Sequence, residues 1–427
     1  MKTPLAWLNL LHDKTRALVA MAGVAFAVVL VLMQLGFYES AVRTATQIYD
    51  RLDFDIVMVS KRYLYLSKAG TFPRRRLIQT LADQEVDSVK PLYLGFNLWL
   101  NAKKDERSDK SSSQTRRLIF VIGQDLNDDV FKTKEMLAKT KGALPHWFTR
   151  SDDDLEDVHG KMRLLQPPGK ALMDIRSREQ FGDWEDNDEL EIGGRHIQIA
   201  GKFEMGTGFG ADGDVIVSSQ TFRRVFPYRS LEEISLGLIK LKSSDKVEEV
   251  ARRLREELRL TENEPNSTVQ SVDLRRLPTD GVAIYTRAEI GEIDRKHWIE
   301  ATSVGVIFKL GVAVGFIVGT AIVYQVLSSD ITNHLREYAT LKAMGYGRGY
   351  LAFVVLQQAW ILALVGFVPG WILSWGLYAL TSSIANVLMI LTWQLSLRVW
   401  AMTFAMCSLS GLAALRKVTT ADPADLF

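Results

Sequence analysis

Gly311–Leu351 reads GVAVGFIVGTAIVYQVLSSDITNHLREYATLKAMGYGRGYL, and this stretch decides the architecture. It opens as an apolar helix with Gly311, Gly315 and Gly319 at four-residue steps. Glycines at this spacing leave one helix face bare, so another helix can approach closely. Residues 331–345 are amphipathic and too polar to lie in lipid, and a second apolar run follows them. The stretch predicts two membrane helices joined by a short coupling helix on which another protein acts.

The composition limits the classes of function. The chain has 427 residues and a formal net charge of +2, which is long enough for two or three domains and too balanced to indicate a nucleic-acid partner. Its ends are strongly apolar, whereas its middle is polar. The ends therefore have the character of a membrane protein, and the middle that of a water-exposed domain.

Four uncharged stretches are long enough to cross a hydrocarbon layer of about 30 Å as helices. They predict transmembrane helices at 17–38, 310–329, 350–378 and 399–415. For the first stretch, a cleaved signal peptide is the alternative, but such a peptide has a shorter apolar core of about 7–15 residues. Residues 381–396 are rich in Ser, Thr, Asn and Gln, which are costly to expose to lipid. We expect them to form an interfacial connection, with an extra span as the alternative.

Basic residues predict the orientation, because loops rich in Lys and Arg stay on the cytoplasmic side. With four spans, three basic groups share one side: Lys2, Lys14 and Arg16; Arg336, Lys342 and Arg348; Arg416 and Lys417. Both termini are then cytoplasmic and residues 1–16 form an interfacial helix. Residues 39–299 then form an extracytoplasmic domain. Arg398 falls on the outer edge, where a long side chain can snorkel to water.

The sequence of this extracytoplasmic domain, residues 39–299, has the pattern of two βαβ-like units, one at each end. Each unit runs strand, helix, strand: Asp55–Ser60, Arg74–Gln84 and Pro91–Leu100 in the first, and Ile234–Lys242, Lys246–Leu258 and Thr268–Leu274 in the second. Together they predict a membrane-proximal lobe, with residues of about 101–203 as an inserted second lobe. The expected fold class is an α+β membrane protein with four transmembrane helices and a large two-lobed extracytoplasmic domain between helices 1 and 2. Residues 300–427 form the remaining membrane domain.

No catalytic or metal-binding constellation is found in the sequence. Gly208, Gly210 and Gly213 match the dinucleotide fingerprint G-x-G-x-x-G, but Asp214–Ser218 reads as a strand where that fingerprint requires a helix. There is no G-x-x-x-x-G-K-[ST] phosphate loop and no paired His or Cys spacing for zinc. We expect no cofactor in this chain, with ATP and Mg²⁺ bound by a partner ATPase. The acidic clusters 151–157 and 183–191 lack the spacing of a calcium loop.

Several motifs resemble one family of transporters. EYATLKAMGY at 337–346 is similar to the cytoplasmic helix of FtsX-like and MacB-like ABC permeases. Four further segments resemble the DevC branch of cyanobacterial exporters: FPRRRL at 72–77, PLYLGFNLWLN at 91–101, GVAVGFIVG at 311–319 and ADPADLF at 421–427. Arg336 stands where DevC relatives carry proline, which weakens the transfer of residue roles just before Glu337.

The resemblance implies a non-catalytic permease of the MacB/FtsX type that forms a homodimer among membrane lipids and binds a separate cytoplasmic ABC ATPase. It also implies a periplasmic adaptor of the membrane fusion protein class and a TolC-like outer-membrane channel. ATPase motion would reach the periplasmic domain by mechanotransmission through long helices. The DevC likeness suggests glycolipid export.

Two sets of site residues are predicted, the first from the resemblance and the second from the spacing of small residues. The ATPase-coupling residues are Glu337, Tyr338, Leu341, Lys342, Met344, Gly345 and Tyr346. The helix-packing residues are Gly311, Gly315 and Gly319 in the second span and Gly366 and Gly370 in the third, where small residues permit close contact. No catalytic and no metal-binding residue is assigned. An FtsX-like regulator of a periplasmic partner, without transport, is the alternative function.

Overall fold

The structure is a computed structural model. It describes residues 14–100, 116–128, 130–132, 161–177, 181, 186–203, 205–206, 208, 210–257, 281–333, 340, 344, 346–385 and 389–420. The chain divides into two compact units, one formed by Met1–Ala41 with Thr302–Phe427 and the other by Val42–Ala301.

The described α-helices are, in chain order, α1 Lys14–Arg51, α2 Arg74–Gln79, α3 Ser219–Val225, α4 Val247–Glu257, α5 Arg287–Lys296, α6 Ser303–Asn333, α7 Arg348–Ala385 and α8 Trp393–Thr420. The described strands are β1 Ile56–Ser60, β2 Phe72–Pro73, β3 Val86–Leu100, β4 Arg117–Gln124, β5 Lys170–Asp174, β6 Glu189–Ile192, β7 Arg195–Phe203, β8 Asp214–Ser218, β9 Glu233–Ile234, β10 Leu236–Leu241 and β11 Val282–Thr286.

Within the described residues, α1, α6, α7 and α8 are the four helices long and apolar enough to cross a membrane. Each extends past the uncharged stretch from which it was predicted. Their shared core is built of small and branched side chains, including Val24, Val28, Val355 and Ala359. Arg398 of α8 lies 3.7 Å from the carboxylate of Glu39 in the same unit, so the arginine that was expected at the outer edge has an acidic neighbour.

Helices extend from both sides into the segment 381–396, which was predicted as an interfacial connection between spans. Helix α7 continues to Ala385, and α8 already begins at Trp393. Polar side chains near the start of α8 find partners within the protein. The Thr392 hydroxyl accepts from the Leu395 N–H at 3.3 Å, and the Ser396 hydroxyl accepts from the Trp371 indole at 3.0 Å. Because these groups are satisfied, the helices need not stop before them.

The unit Val42–Ala301 is built on one mixed sheet of nine described strands in the order β11-β1-β10-β3-β4-β8-β5-β7-β6. Strands β2 and β9 form a separate two-stranded pair. β10 lies between β1 and β3 and is antiparallel to both, so β1 and β3 are parallel with one strand inserted between them. This arrangement is a split βαβ unit. The strand predictions at 55–60, 91–100, 214–218 and 234–242 are confirmed.

Both faces of this sheet are covered, because β1 buries all five of its residues. Ile56 and Met58 point into a core shared with residues of α2, α3 and α4. Val57 and Val59 point into a second core shared with the end of α1 and with α5. A glycine in strand β4 allows helix α3 to approach the sheet closely. A Cβ built at Gly123 would lie 2.8 Å from the Phe222 side chain of α3.

The two-lobed prediction differs from the structure where the middle segment is described. β4, β5, β6 and β7 continue the same sheet as the strands from both ends, so these residues do not form a separate lobe. The period-2 pattern predicts strands but cannot predict which sheet they join. Residues 1–13 of the interfacial helix, the strand at 268–274, the cluster at 151–157 and much of the inserted lobe lie outside the described residues.

Candidate functional site

The coupling segment is described at only three positions of 334–346. Glu337, Tyr338, Leu341, Lys342 and Gly345 lie outside the described residues. Met344 donates its backbone N–H to the Thr340 carbonyl at 3.0 Å, the spacing of a helical turn. The Met344 side chain is 63% exposed and that of Tyr346 is 44% exposed. Two large apolar side chains therefore face solvent immediately before α7.

The three glycines of α6 lie on one face and contact helices of the same chain. A Cβ built at Gly311 would lie 2.5 Å from the Gln34 side chain, and one at Gly315 would lie 3.2 Å from Val31. At Gly319 it would lie 2.6 Å from Ala27 and would also meet Met406 of α8. The bare face of α6 is thus occupied within the subunit by α1 and α8.

Gly366 and Gly370 of α7 make equivalent contacts with α1. A Cβ at Gly366 would lie 2.6 Å from the Val24 side chain, and one at Gly370 would lie 2.8 Å from the Ala25 carbonyl oxygen. All five predicted packing glycines therefore lie where a larger side chain would collide with a neighbouring helix. Helix α1 is common to these contacts, since α6 and α7 both approach it through glycines.

A half-buried arginine that sequence reasoning missed caps the end of α1. Arg287, the first residue of α5, donates hydrogen bonds to the carbonyl oxygens of Tyr49, Leu52 and Phe54, the Leu52 contact being 3.0 Å. Its guanidinium carbon lies 4.2 Å from the centroid of the Phe54 ring. The last carbonyls of a helix lack intrahelical partners and carry partial negative charge, so an arginine suits this position.

A second missed cluster lies two helical turns further along α5. Asp294 is fully buried and accepts hydrogen bonds from the hydroxyls of Tyr49 at 2.8 Å and Tyr63 at 2.7 Å. The Leu66 backbone N–H donates to it at 3.2 Å. Burial raises the pKa of the Asp294 carboxyl to about 7, against the lowering effect of these three donors. Arg287 and Asp294 thus fasten the end of α1 to α5 within the unit Val42–Ala301.

The sequence carried one signal for this region. Thr286 and Glu289 form a capping box, because the Thr286 hydroxyl accepts from the Glu289 N–H and the Glu289 carboxylate accepts from the Thr286 N–H. The pattern T-x-x-E before a helix could have located the start of α5. After α5 the chain is π-helical over His297–Ala301 before α6 begins.

The described residues contain no group of three or more His, Cys, Asp or Glu side chains arranged to hold a metal ion. The glycine-rich segment 208–213 is followed directly by β8, as predicted, and not by a helix. It therefore lacks the helix N-terminus on which a dinucleotide pyrophosphate is held.

Two family models match the chain. The model of the MacB-like periplasmic core domain matches residues 17–257, more than half of the chain. The model of the FtsX-like permease C-terminal region matches residues 310–423. The first covers α1 and most of the sheet, and the second covers α6, α7 and α8.

Three solved structures are similar at low identity. The extracellular domain of the noncanonic ABC-type transporter YknZ from Gram-positive bacteria is 11% identical, with 48% of this chain and 93% of that chain covered and a TM-score of 0.28. The periplasmic region of MacB from Actinobacillus actinomycetemcomitans is 9% identical, with 57% and 94% covered and a TM-score of 0.30. A domain of a permease protein from Porphyromonas gingivalis is 13% identical, with 56% and 88% covered and a TM-score of 0.26. At such TM-scores these likenesses support no statement about function. The comparison with curated proteins finds no match.

Proposed function

Because the chain belongs to the MacB/FtsX-like permease family of ABC-type transporters, we propose that it is the permease subunit of a tripartite ATP-driven exporter. Members of this family are membrane components that work with ATPase partners. The proposed subunit carries ATPase motion to the periplasmic domain. That motion expels a lipid or other envelope cargo through an adaptor and an outer-membrane channel.

The observation that carries this proposal is the joining of a MacB-like periplasmic core and an FtsX-like permease region in one chain whose sequence has no phosphate-binding loop. An ATPase on a separate chain would then act on the coupling segment. The exposed side chains of Met344 and Tyr346 support this, because apolar side chains are the usual anchors of a protein interface.

The expected environment is the inner membrane, with four spans, both termini cytoplasmic and the domain 39–299 in the periplasm. We propose that the protein forms a homodimer. We also propose that its domains begin and end where the uncharged stretches of the sequence predict. The bare faces of α6 and α7 contact α1 within one subunit, so other surfaces would form the dimer interface.

The proposal is tested by purifying the tagged full chain from native membranes in mild detergent. An ABC ATPase, a periplasmic adaptor and a TolC-like channel should co-purify, and deletion of the gene should remove a defined molecule from the outer envelope or medium. Recovery of a cell-wall hydrolase without an adaptor, and with an unchanged envelope composition, would favour the FtsX-like regulator. Absence of any ATPase would contradict both functions.

We further propose, from the DevC-like motifs, that the cargo is a glycolipid. Lipid profiling of the outer envelope after gene deletion distinguishes this cargo from peptides or small drugs. Loss of one glycolipid class is the expected result, and an unchanged lipid profile alongside loss of a secreted peptide would contradict it.

A further inference from the structure

The three most deeply buried of the described aspartates in the unit Val42–Ala301 are Asp174, Asp214 and Asp294, and they differ in how their carboxylates are satisfied. Asp174 accepts hydrogen bonds from three backbone N–H groups, those of Arg176, Met205 and Gly206. Asp294 also has three donors. Asp214 is only 2% exposed, and among the described residues no donor reaches its carboxylate. Buried polar groups are nearly always hydrogen-bonded, so Asp214 is the exception that needs an explanation.

Asp214 is one of the residues that line a cavity of about 40 Å³. A water molecule needs about 10–15 Å³ of such volume, so the cavity has room for about three groups of that size. Its walls are mainly apolar and aromatic, and include Phe96, Phe120, Met205 and Trp298. The rings of Phe96 and Phe120 are 4.8 Å apart.

Among the described residues that line the cavity, Asp214 is the one acidic residue, and no lysine, arginine or histidine is among them. Burial raises the pKa of Asp214 well above its usual value, and the negative charge of Asp174 adds to this effect. Without a bound cation the carboxyl is therefore neutral. An ammonium group that binds there would lower this pKa, so that the carboxyl releases its proton and pairs with the cation.

We propose that this cavity binds the primary ammonium group of a small amine or of a lipid headgroup. An ammonium group is the size of a water molecule and has three donors, which suit the Asp214 carboxylate and the side-chain oxygens of Thr44, Gln47 and Ser67 in the lining. Aromatic walls attract such a cation further through their ring faces. A divalent metal fits less well, because Ca²⁺ needs six or more oxygen ligands and Mg²⁺ an octahedral set.

The inference concerns binding alone and does not rest on the export function. Its first test is a ligand-observed NMR titration of the purified full chain in nonionic detergent with butylammonium chloride. Butanol and butanoate of the same length are the matched probes. Butylammonium should bind saturably, on the order of millimolar for a ligand of five heavy atoms. The neutral and anionic probes should bind at least about tenfold more weakly, and equal binding of all three would overturn the proposal.

Two variants locate the binding. Asp214→Asn should weaken butylammonium binding at least about tenfold, whereas Asp212→Asn, two residues away and outside the described lining, should not change it. Gly208 also lines the cavity, and a Cβ there meets nothing within 4 Å among the described residues, so Gly208→Leu adds a large apolar side chain at the site without a collision at its Cβ. It should abolish binding while the melting temperature is kept. Unchanged affinity in both Asp214→Asn and Gly208→Leu would contradict the site.

A competition experiment distinguishes a lipid headgroup from a free amine as the source of the ammonium group. Glycerophosphoethanolamine, a water-soluble lipid headgroup, should displace butylammonium if the site takes a phospholipid amine. If butylammonium binds and glycerophosphoethanolamine does not compete, the site takes a free amine without phosphate.

Discussion

The hydroxyl of Tyr49 and the carboxylate of Asp294 are joined by a buried 2.8 Å hydrogen bond across 245 residues of sequence. Tyr63 completes the contact, since its hydroxyl lies 2.6 Å from that of Tyr49 and donates to the same carboxylate. The hydrogen bond between Tyr49 and Asp294 connects the end of α1 to α5. Helix α1 begins in the first unit, and α5 precedes α6 in the chain. A change in the charge of Asp294 should therefore alter the stability of this junction.

The first prediction concerns Asp294→Asn and pH. The folded-state pKa of about 7 is above the unfolded value of 3.8, so the folded protein holds more protons between these values. Its free energy of unfolding should therefore fall as pH rises from about 4 to about 7, and should change little from this group above that. The amide that replaces the carboxyl in Asp294→Asn cannot ionise, so the melting temperature of the variant relative to the wild type should increase between pH 5 and pH 8.

Differential scanning calorimetry of the full chain in detergent measures this difference. The titratable side chains that contact Asp294 are those of Tyr49 and Tyr63, and both are retained in the variant. Asp87→Asn, at an exposed aspartate, is the matched control and should give a pH-independent difference. A constant difference for Asp294→Asn across the same range would show that this carboxyl does not titrate there.

The second prediction concerns Arg287→Met. The variant keeps a long side chain but leaves the carbonyls of Tyr49, Leu52 and Phe54 without their donor. Loss of hydrogen bonds from a charged group, with buried acceptors left unpaired, should cost about 2–4 kcal/mol. Thermal unfolding should show a decrease of roughly 5–15 °C for a domain of this size. Arg252→Met, at an exposed arginine of α4, should change the melting temperature by less than about 2 °C.

Local sequence patterns predicted the helices and strands. The contacts that hold these helices and strands together are made by residues far apart in the sequence, so local patterns did not predict them. The period-2 run at 214–218 and the helical period at 247–257 are visible in the sequence, and the structure has β8 and α4 there. The partners of Arg287 lie 233 to 238 residues away, and no local pattern indicates them.

The same reason explains why helices extend into 381–396 from both sides. The polar residues there predicted an interfacial turn, but Ser396 is satisfied by Trp371, which lies in another helix. Sequence also indicated the right family from the coupling motif, and the MacB-like and FtsX-like matches confirm that resemblance. The DevC subtype stays a prediction.

The third prediction separates contact within the subunit from contact between subunits. Gly319→Leu should force α6 away from Ala27 of α1 and Met406 of α8, at a cost of about 1–3 kcal/mol or more from overpacking. The melting temperature of the detergent-solubilised chain should fall. Gly376→Leu is the matched control in α7, because a Cβ there meets nothing within 4 Å. Dissociation of a dimer by Gly319→Leu, with an unchanged melting temperature, would instead place this face between subunits.

The fourth prediction concerns Met344→Asp at the coupling segment and rests on the proposed function. Met344 is exposed, so a carboxylate there should leave the fold of the isolated chain intact, and its melting temperature should stay within about 1 °C of the wild type. If Met344 contacts the ATPase, burying a charge in that interface should reduce co-purification of the ATPase at least about tenfold, equivalent to about 1.4 kcal/mol. Leu341→Asp should act in the same direction.

Two variants make the result of Met344→Asp specific. Met344→Leu keeps an apolar side chain of similar size and should retain the ATPase. Tyr228→Asp removes an 85% exposed aromatic side chain from the unit Val42–Ala301, on the side of the membrane opposite the proposed ATPase, and should also retain it. Since both aspartate variants add one negative charge to an exposed apolar position, only a contact at the coupling segment explains a loss confined to Met344→Asp. If Met344→Asp and Leu341→Asp each retain the ATPase, the coupling segment is not part of the interface with the ATPase.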